Sequence, residues 1–190
     1  MLKNTILFLM GKAVTGKRTI AQEIVKQDKR FQFIHSYDFK EPILRLLPGY
    51  NADIPMNDDI YAATKLIRNT IFDAITTFCA PDVNFVISKE MLAGCPRASE
   101  FFDALSLVAK QRNARFIPVR LLCQDLEEYL QRGMAEDRTN YLKIRSVDTL
   151  TRRFMNSEVF SSNLLTEYSL DVTMLSAQHS AEKILLSAGA

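Results

Sequence analysis

An α/β domain, a parallel sheet layered between helices, is the fold this sequence predicts. Five short apolar runs alternate with segments of helical periodicity, and neither repeat nor linker interrupts them. The runs are nearly continuous rather than alternating, as required of strands covered on both faces. The helical segments between them supply the crossovers that parallel strands need. At 190 residues and 21.7 kDa the chain suits one domain, residues 1–190, whose core needs no disulfide or metal.

The first run, residues 5–10, leads directly into Gly11. Residues 19–27 then place Ile20, Ala21, Ile24 and Val25 on one helical stripe. The second run, residues 31–35, is broken by Gln32, and a short helix over 40–47 follows. Residues 58–78 carry the longest helical pattern: Ile60, Ala63, Ile67, Ile71, Ala74, Ile75 and Phe78 recur at spacings of three and four, behind Asn57 or Asp58 as cap. The third run covers 84–87, and Ser99 can cap a helix bearing Phe102, Leu105 and Val108. Pro118 interrupts the fourth run, 116–123, and marks where ladder pairing begins or slips, because proline has no N–H to donate. Asp125 and Glu128 form a capping box for residues 126–132. Helical patterns over 148–155 and 176–187 flank the last run, 170–175.

Hydrophobic residues make up 47% of the chain and charged ones 24%, a balance that excludes disorder, a collagen-like fibre and a membrane bundle. The net charge of +2 gives no global field for a nucleic-acid or membrane partner. Cys79, Cys95 and Cys123 are odd in number and widely spaced, and His35 and His179 are far apart, so neither a disulfide framework nor a zinc site follows. The cysteines read as small apolar filler in a reducing cytoplasm. The apolar stretch at residues 6–10 is too short for a signal-peptide core or a bilayer span.

The most informative residues are Gly11-Lys12-Ala13-Val14-Thr15-Gly16-Lys17-Arg18-Thr19, between the first strand and the first helix. Glycine at both ends lets the backbone wrap closely around a phosphate, and the helix that starts there adds its positive end. Lys17 places a mobile cation against the terminal phosphates of a bound nucleotide. The usual pattern has Ser or Thr directly after the lysine to ligate magnesium, but Arg18 stands there and arginine cannot coordinate a metal. The hydroxyl moves to Thr19, a candidate for the α-phosphate and the metal side. Glu90, after the third run, is the other candidate near magnesium, through a bound water. No Asp-x-x-Gly or Asn-Lys-x-Asp string occurs, which excludes a guanine-nucleotide switch.

Three stretches carry a family likeness: residues 10–19, residues 116–123 running into Glu127-Glu128 and Gln131-Arg132, and residues 170–173 followed by Ser176 and a final helix. On these the chain resembles the small P-loop kinases: shikimate kinase, gluconate kinase, adenylylsulfate kinase and chloramphenicol phosphotransferase. It is most similar to a shikimate-kinase-like branch of AAA-type ATPases. The resemblance implies a three-layer P-loop NTPase fold, its five parallel strands in the order 2-3-1-4-5, with ligand at their carboxyl ends. It also implies a helical lid over roughly residues 133–148, whose basic residues close on ATP. Arg132 and Arg138 are the best matches, with Lys143 next.

On the acceptor side, the resemblance implies that Asp38, just past the second strand, meets the hydroxyl to be phosphorylated. The same aspartate also suits a cap for the helix over 40–47. Arg68 matches by region the arginine that binds the substrate carboxylate in shikimate kinase. The implied activity is phosphate transfer from ATP, with Mg2+, to a hydroxyl of a small molecule, by a monomer or homodimer. Two alternatives remain. One is a nucleotide-binding regulatory protein with a degenerate site. The other is a nucleoside or nucleotide kinase using Tyr37, Phe39, Tyr50 or Tyr61 to stack a base.

Overall fold

A computed structural model describes residues 2–48, 50, 56–135 and 143–189. In chain order its elements are β1 (Thr5–Gly11), α1 (Lys17–Gln27), β2 (Phe31–His35), α2 (Ser36–Leu44), α3 (Asp58–Thr77) and β3 (Asn84–Glu90). There follow α4 (Pro96–Gln111), β4 (Arg115–Leu122), α5 (Leu126–Met134), α6 (Val147–Asn156), β5 (Tyr168–Asp171) and α7 (Ala177–Ser187). The five strands form one parallel sheet in the order β2-β3-β1-β4-β5.

β1 explains the layering. All seven of its residues are buried, because β3 and β4 pair with it on either side and helices cover both faces. Successive strand side chains point to opposite faces. Leu7 and Leu9 therefore join Ile20 and Ile24 of α1 and Ile184 and Leu185 of α7, while Ile6, Phe8 and Met10 join Phe72 and Ile75 of α3 and Phe101, Phe102 and Leu105 of α4. The second layer is aromatic, with the Phe8 ring stacked 5.6 Å from Phe101. A smaller cluster of Val14, Tyr129, Ile144 and Leu150 ties the turn after β1 to α5 and α6.

Several boundaries differ from the sequence reading. β3 continues to Glu90 because the β1 ladder runs on through Met10↔Lys89 and Gly11↔Glu90. β5 starts and stops earlier than residues 170–175, since Asp171 Oδ1 accepts from the Thr173 amide at 2.9 Å and turns the chain. α2 begins at Ser36, not residue 40, and contains Pro42. Pro118 pairs opposite Phe8, and the β5 ladder starts one residue later at Val119. Asn57 caps α3, its side chain accepting from Ile60 at 2.8 Å. The three cysteines are free; Cys123 is buried, but Cys95 is exposed just before α4, so apolar filler does not describe it. Among the described residues no helix is long and apolar enough to cross a membrane.

Candidate active site

The carboxyl ends of β1, β2 and β3 bring Gly11, His35 and Glu90 together, and the turn from Gly11 to Gly16 rises between them. Gly16 holds φ 77°, a left-handed conformation for which glycine carries no penalty. Gly11 is required by packing: a Cβ there would sit 2.7 Å from Thr15 Oγ1 and 2.8 Å from the Leu121 carbonyl. The N-terminus of α1 receives no side-chain cap, since Gly16 precedes it. The first amides of a helix have no intrahelical acceptor, and together with the helix dipole they favour an anion.

Cations are anchored around this turn. The Lys17 ammonium is buried, donates to the Lys12 carbonyl and lies 3.1 Å from Thr15 Oγ1. Lys12 donates to the Phe154 carbonyl at 2.7 Å and sits over that ring, fastening the turn to α6. Burial lowers the Lys12 pKa, although Glu158 opposes the shift. Glu90 accepts from the Ala13 amide at 3.1 Å and from Arg153 Nη1 at 2.6 Å. Burial pushes the Glu90 carboxyl up, but the Arg153 guanidinium outweighs it and holds the group below its ordinary range.

The space above the turn is a cavity of about 630 Å3, lined by residues 13–20 and by His35, Tyr37, Lys40, Glu90, Arg132 and Lys143. That is room for a nucleotide-sized ligand. Val172, Leu175 and Ala177 add an apolar part. His35 Nδ1 lies 3.0 Å from Ser88 Oγ, and burial, reinforced by Lys17, Lys143 and Arg18, takes its pKa down to about 3. It is therefore a neutral wall residue and too weak a base to collect a proton at neutral pH.

The predicted site residues divide. Ala13, Val14, Thr15, Gly16, Lys17, Arg18 and Thr19 line the cavity, and so do Glu90, Arg132 and Lys143. Asp38 does not. It is exposed, and as the third residue of α2 its carboxylate accepts from the amide of the N-cap His35 at 2.7 Å, closing a capping box outside the cavity lining. Arg132 reaches the cavity but spends donors on Glu128 at 2.6 Å and on the Val172 and Thr173 carbonyls, both at 2.9 Å, so it braces the wall after β5. Arg68 is buried and lines a separate recess behind α2, bonded to Glu100 at 3.2 Å. Arg138 lies outside the described residues.

Sequence reading missed Arg153 and Lys40, which no motif marks. Lys40 could have been found from the register of α2 alone: four residues after Ser36, it shares that residue's helix face.

No protein-family model and no curated sequence matches the chain. Solved structures do. A gluconokinase from Sinorhizobium meliloti superposes with a TM-score of 0.62 at 14% identity, over 98% of this chain and 93% of that one. Shikimate kinase from Acinetobacter baumannii, solved with shikimate, gives 0.54 at 16% identity over 97% and 94%. The Mycobacterium tuberculosis APS kinase CysC, solved with AMPPNP and APS, gives 0.56 at 13% identity over the whole of both chains. At these identities the likeness establishes the fold alone: the chain shares the architecture of these three kinases.

Proposed function

We propose that the chain is an ATP-dependent phosphotransferase acting on a hydroxyl of a small molecule. The observation that carries this reading is the turn of residues 11–16, which sets a buried Lys17 and an uncapped helix N-terminus on the floor of the 630 Å3 cavity. The phosphates would lie along that turn, with Lys17 at the terminal group and Thr19 at the α-phosphate. Val172 and Leu175 suit an apolar base.

Phosphoryl transfer asks mainly for positioning and for positive charge around the moving group. The cavity supplies that charge from Lys17, Arg18, Lys40 and Lys143. Glu90 is the one carboxylate lining it among the described residues. The donor set suits a magnesium carried in by the nucleotide: Thr19 and Glu90 are the candidate oxygens, one Glu90 oxygen is already committed to Arg153, and the described residues hold no cluster able to bind a metal unaided.

The test incubates purified protein with Mg-ATP and a panel of sugar acids, cyclic polyols and nucleosides, following ADP release. Acceptor-dependent turnover that disappears in Lys17→Ala is the expected result; turnover that survives this change would remove the loop from the reaction. Arg18 behind the lysine and the Arg153 hold on Glu90 favour a second reading, a nucleotide-binding protein without transfer chemistry. Tight ATP binding with no ADP formed across the panel would select it. For a nucleoside acceptor, Tyr37 lines the main cavity, and Tyr61 and the buried Phe39 line the recess behind α2.

A further inference from the structure

One residue of the phosphate loop holds a conformation that its side chain opposes. Among the described residues, four that are not glycine have a positive φ: Asn4, Asn113, Asn163 and Val14, the last at 55°. Asparagine tolerates the left-handed region, whereas a β-branched side chain there crowds its own backbone. The conformation nevertheless serves the site. Val14 and Gly16 are both left-handed with Thr15 between them, and alternation of this kind turns successive amides toward a common anion. Gly16 takes that shape without cost; Val14 has to be held in it.

The hold comes from α5 and α6. The Val14 side chain is buried in the cluster of Tyr129, Ile144 and Leu150. Tyr129 and Gly133 belong to α5 and Leu150 to α6. The two helices meet so closely that a Cβ on Gly133 would stand 2.4 Å from Leu150 Cδ1 and 3.6 Å from Val14 Cγ1. Residues 12 and 13 are tied to the same helix: Lys12 donates to the Phe154 carbonyl, and Glu90, which accepts the Ala13 amide, is held by Arg153. Three consecutive loop residues therefore lean on α6, although no α6 residue lines the cavity among the described residues.

We infer that Val14 is a positioning residue through which the packing of α6 sets the affinity of the phosphate loop for its nucleotide. With α6 docked, the Tyr129–Ile144–Leu150 cluster grips the valine and keeps it left-handed. With α6 displaced, Val14 relaxes to a negative φ and the loop amides no longer converge. A residue that adopts φ 55° unaided would leave the loop indifferent to α6; valine makes the cradle conditional on it. Coupling of this kind is reciprocal, so a bound nucleotide tightens α6 against the loop in return. The inference rests on the phosphotransferase reading for the identity of the ligand.

The test is a double-mutant cycle on AMP-PNP affinity, measured by calorimetry with magnesium present. It crosses Leu150→Ala, whose side chain lies outside the cavity lining, with Val14→Gly, which accepts the left-handed conformation without support. Leu150→Ala should weaken AMP-PNP about tenfold in the wild-type background and less than about twofold in the Val14→Gly background. Its melting temperature should fall in both, because the cavity it opens is the same. That split separates positioning from mere packing.

Equal loss of affinity in the two backgrounds, or no loss in the wild-type one, overturns the inference. Should Leu150→Ala fail to fold, the milder Leu150→Val is read by the same comparison, with its smaller loss confined to the wild-type background. If the wild type binds no AMP-PNP, the phosphotransferase reading falls on its own, and NMR of the free protein decides the coupling. Leu150→Ala should then displace the Gly16 amide resonance in the wild-type background more than in the Val14→Gly background. Equal displacement, or none, overturns it.

Discussion

At the head of α1 the cations have local partners: Lys17 sits on the Lys12 carbonyl, Lys12 on the Phe154 carbonyl, and Arg153 on Glu90. Across α2, the Lys40 and Lys89 ammonium groups lie over the Tyr37 and Phe101 rings, with no ion pair within 4.0 Å among the described residues. The first arrangement is defined by backbone carbonyls, the Glu90 carboxylate and a glycine-limited turn. In the second, Glu90 acts on both lysines from beyond ion-pair distance. The turn settles its cations on nearby acceptors, whereas the recess behind α2 holds two of its cations over aromatic faces.

If that contrast holds, damage to the turn should be the more severe. Gly11→Ala forces a Cβ against Thr15 Oγ1 at 2.7 Å and the Leu121 carbonyl at 2.8 Å. The carbonyl belongs to a buried strand and has little freedom to yield, so a loss of about 2 to 3 kcal/mol in urea unfolding is expected. A loss below about 0.5 kcal/mol would show that the turn is softer than its packing implies.

The wall common to both regions should report on pH. The folded His35 pKa is about 3, and an unfolded histidine titrates near 6.5. Between those values the unfolded chain binds the extra proton, so stability is fully present above about 6.5 and declines as pH falls toward 3. The slope is up to about 1.4 kcal/mol per pH unit. Comparing unfolding of the wild type and His35→Gln from pH 7 to 4.5 checks this: the variant should lack that component. Smallest is Asp38→Ala. Loss of the α2 cap should cost about 1 kcal/mol while nucleotide affinity and any turnover stay unchanged. Loss of turnover without loss of stability would return Asp38 to the reaction.

Legibility followed distance along the chain. The turn was readable because its glycines, lysine and flanking elements are consecutive, and five short, nearly continuous apolar runs alternating with helical patterns were enough for a parallel sheet. Strand order came from family likeness, since no local pattern encodes which strands become neighbours. Asp38 misled because an aspartate three residues past a strand suits both an acceptor and a helix cap. The outcome depended on α2 beginning at Ser36, which makes Asp38 its third residue. That Lys40 and Lys89 line one recess was not legible, because the pairing of β2 with β3 that brings their segments side by side is a long-range contact.

The central claim is that residues 11–19 cradle a triphosphate. Calorimetric titration of Mg-ATP into the wild type and into Lys17→Ala tests it most directly. One-to-one binding in the wild type, weakened about 100-fold or more in the variant, is the predicted result. No heat in the wild type, or the same affinity in both, would contradict it.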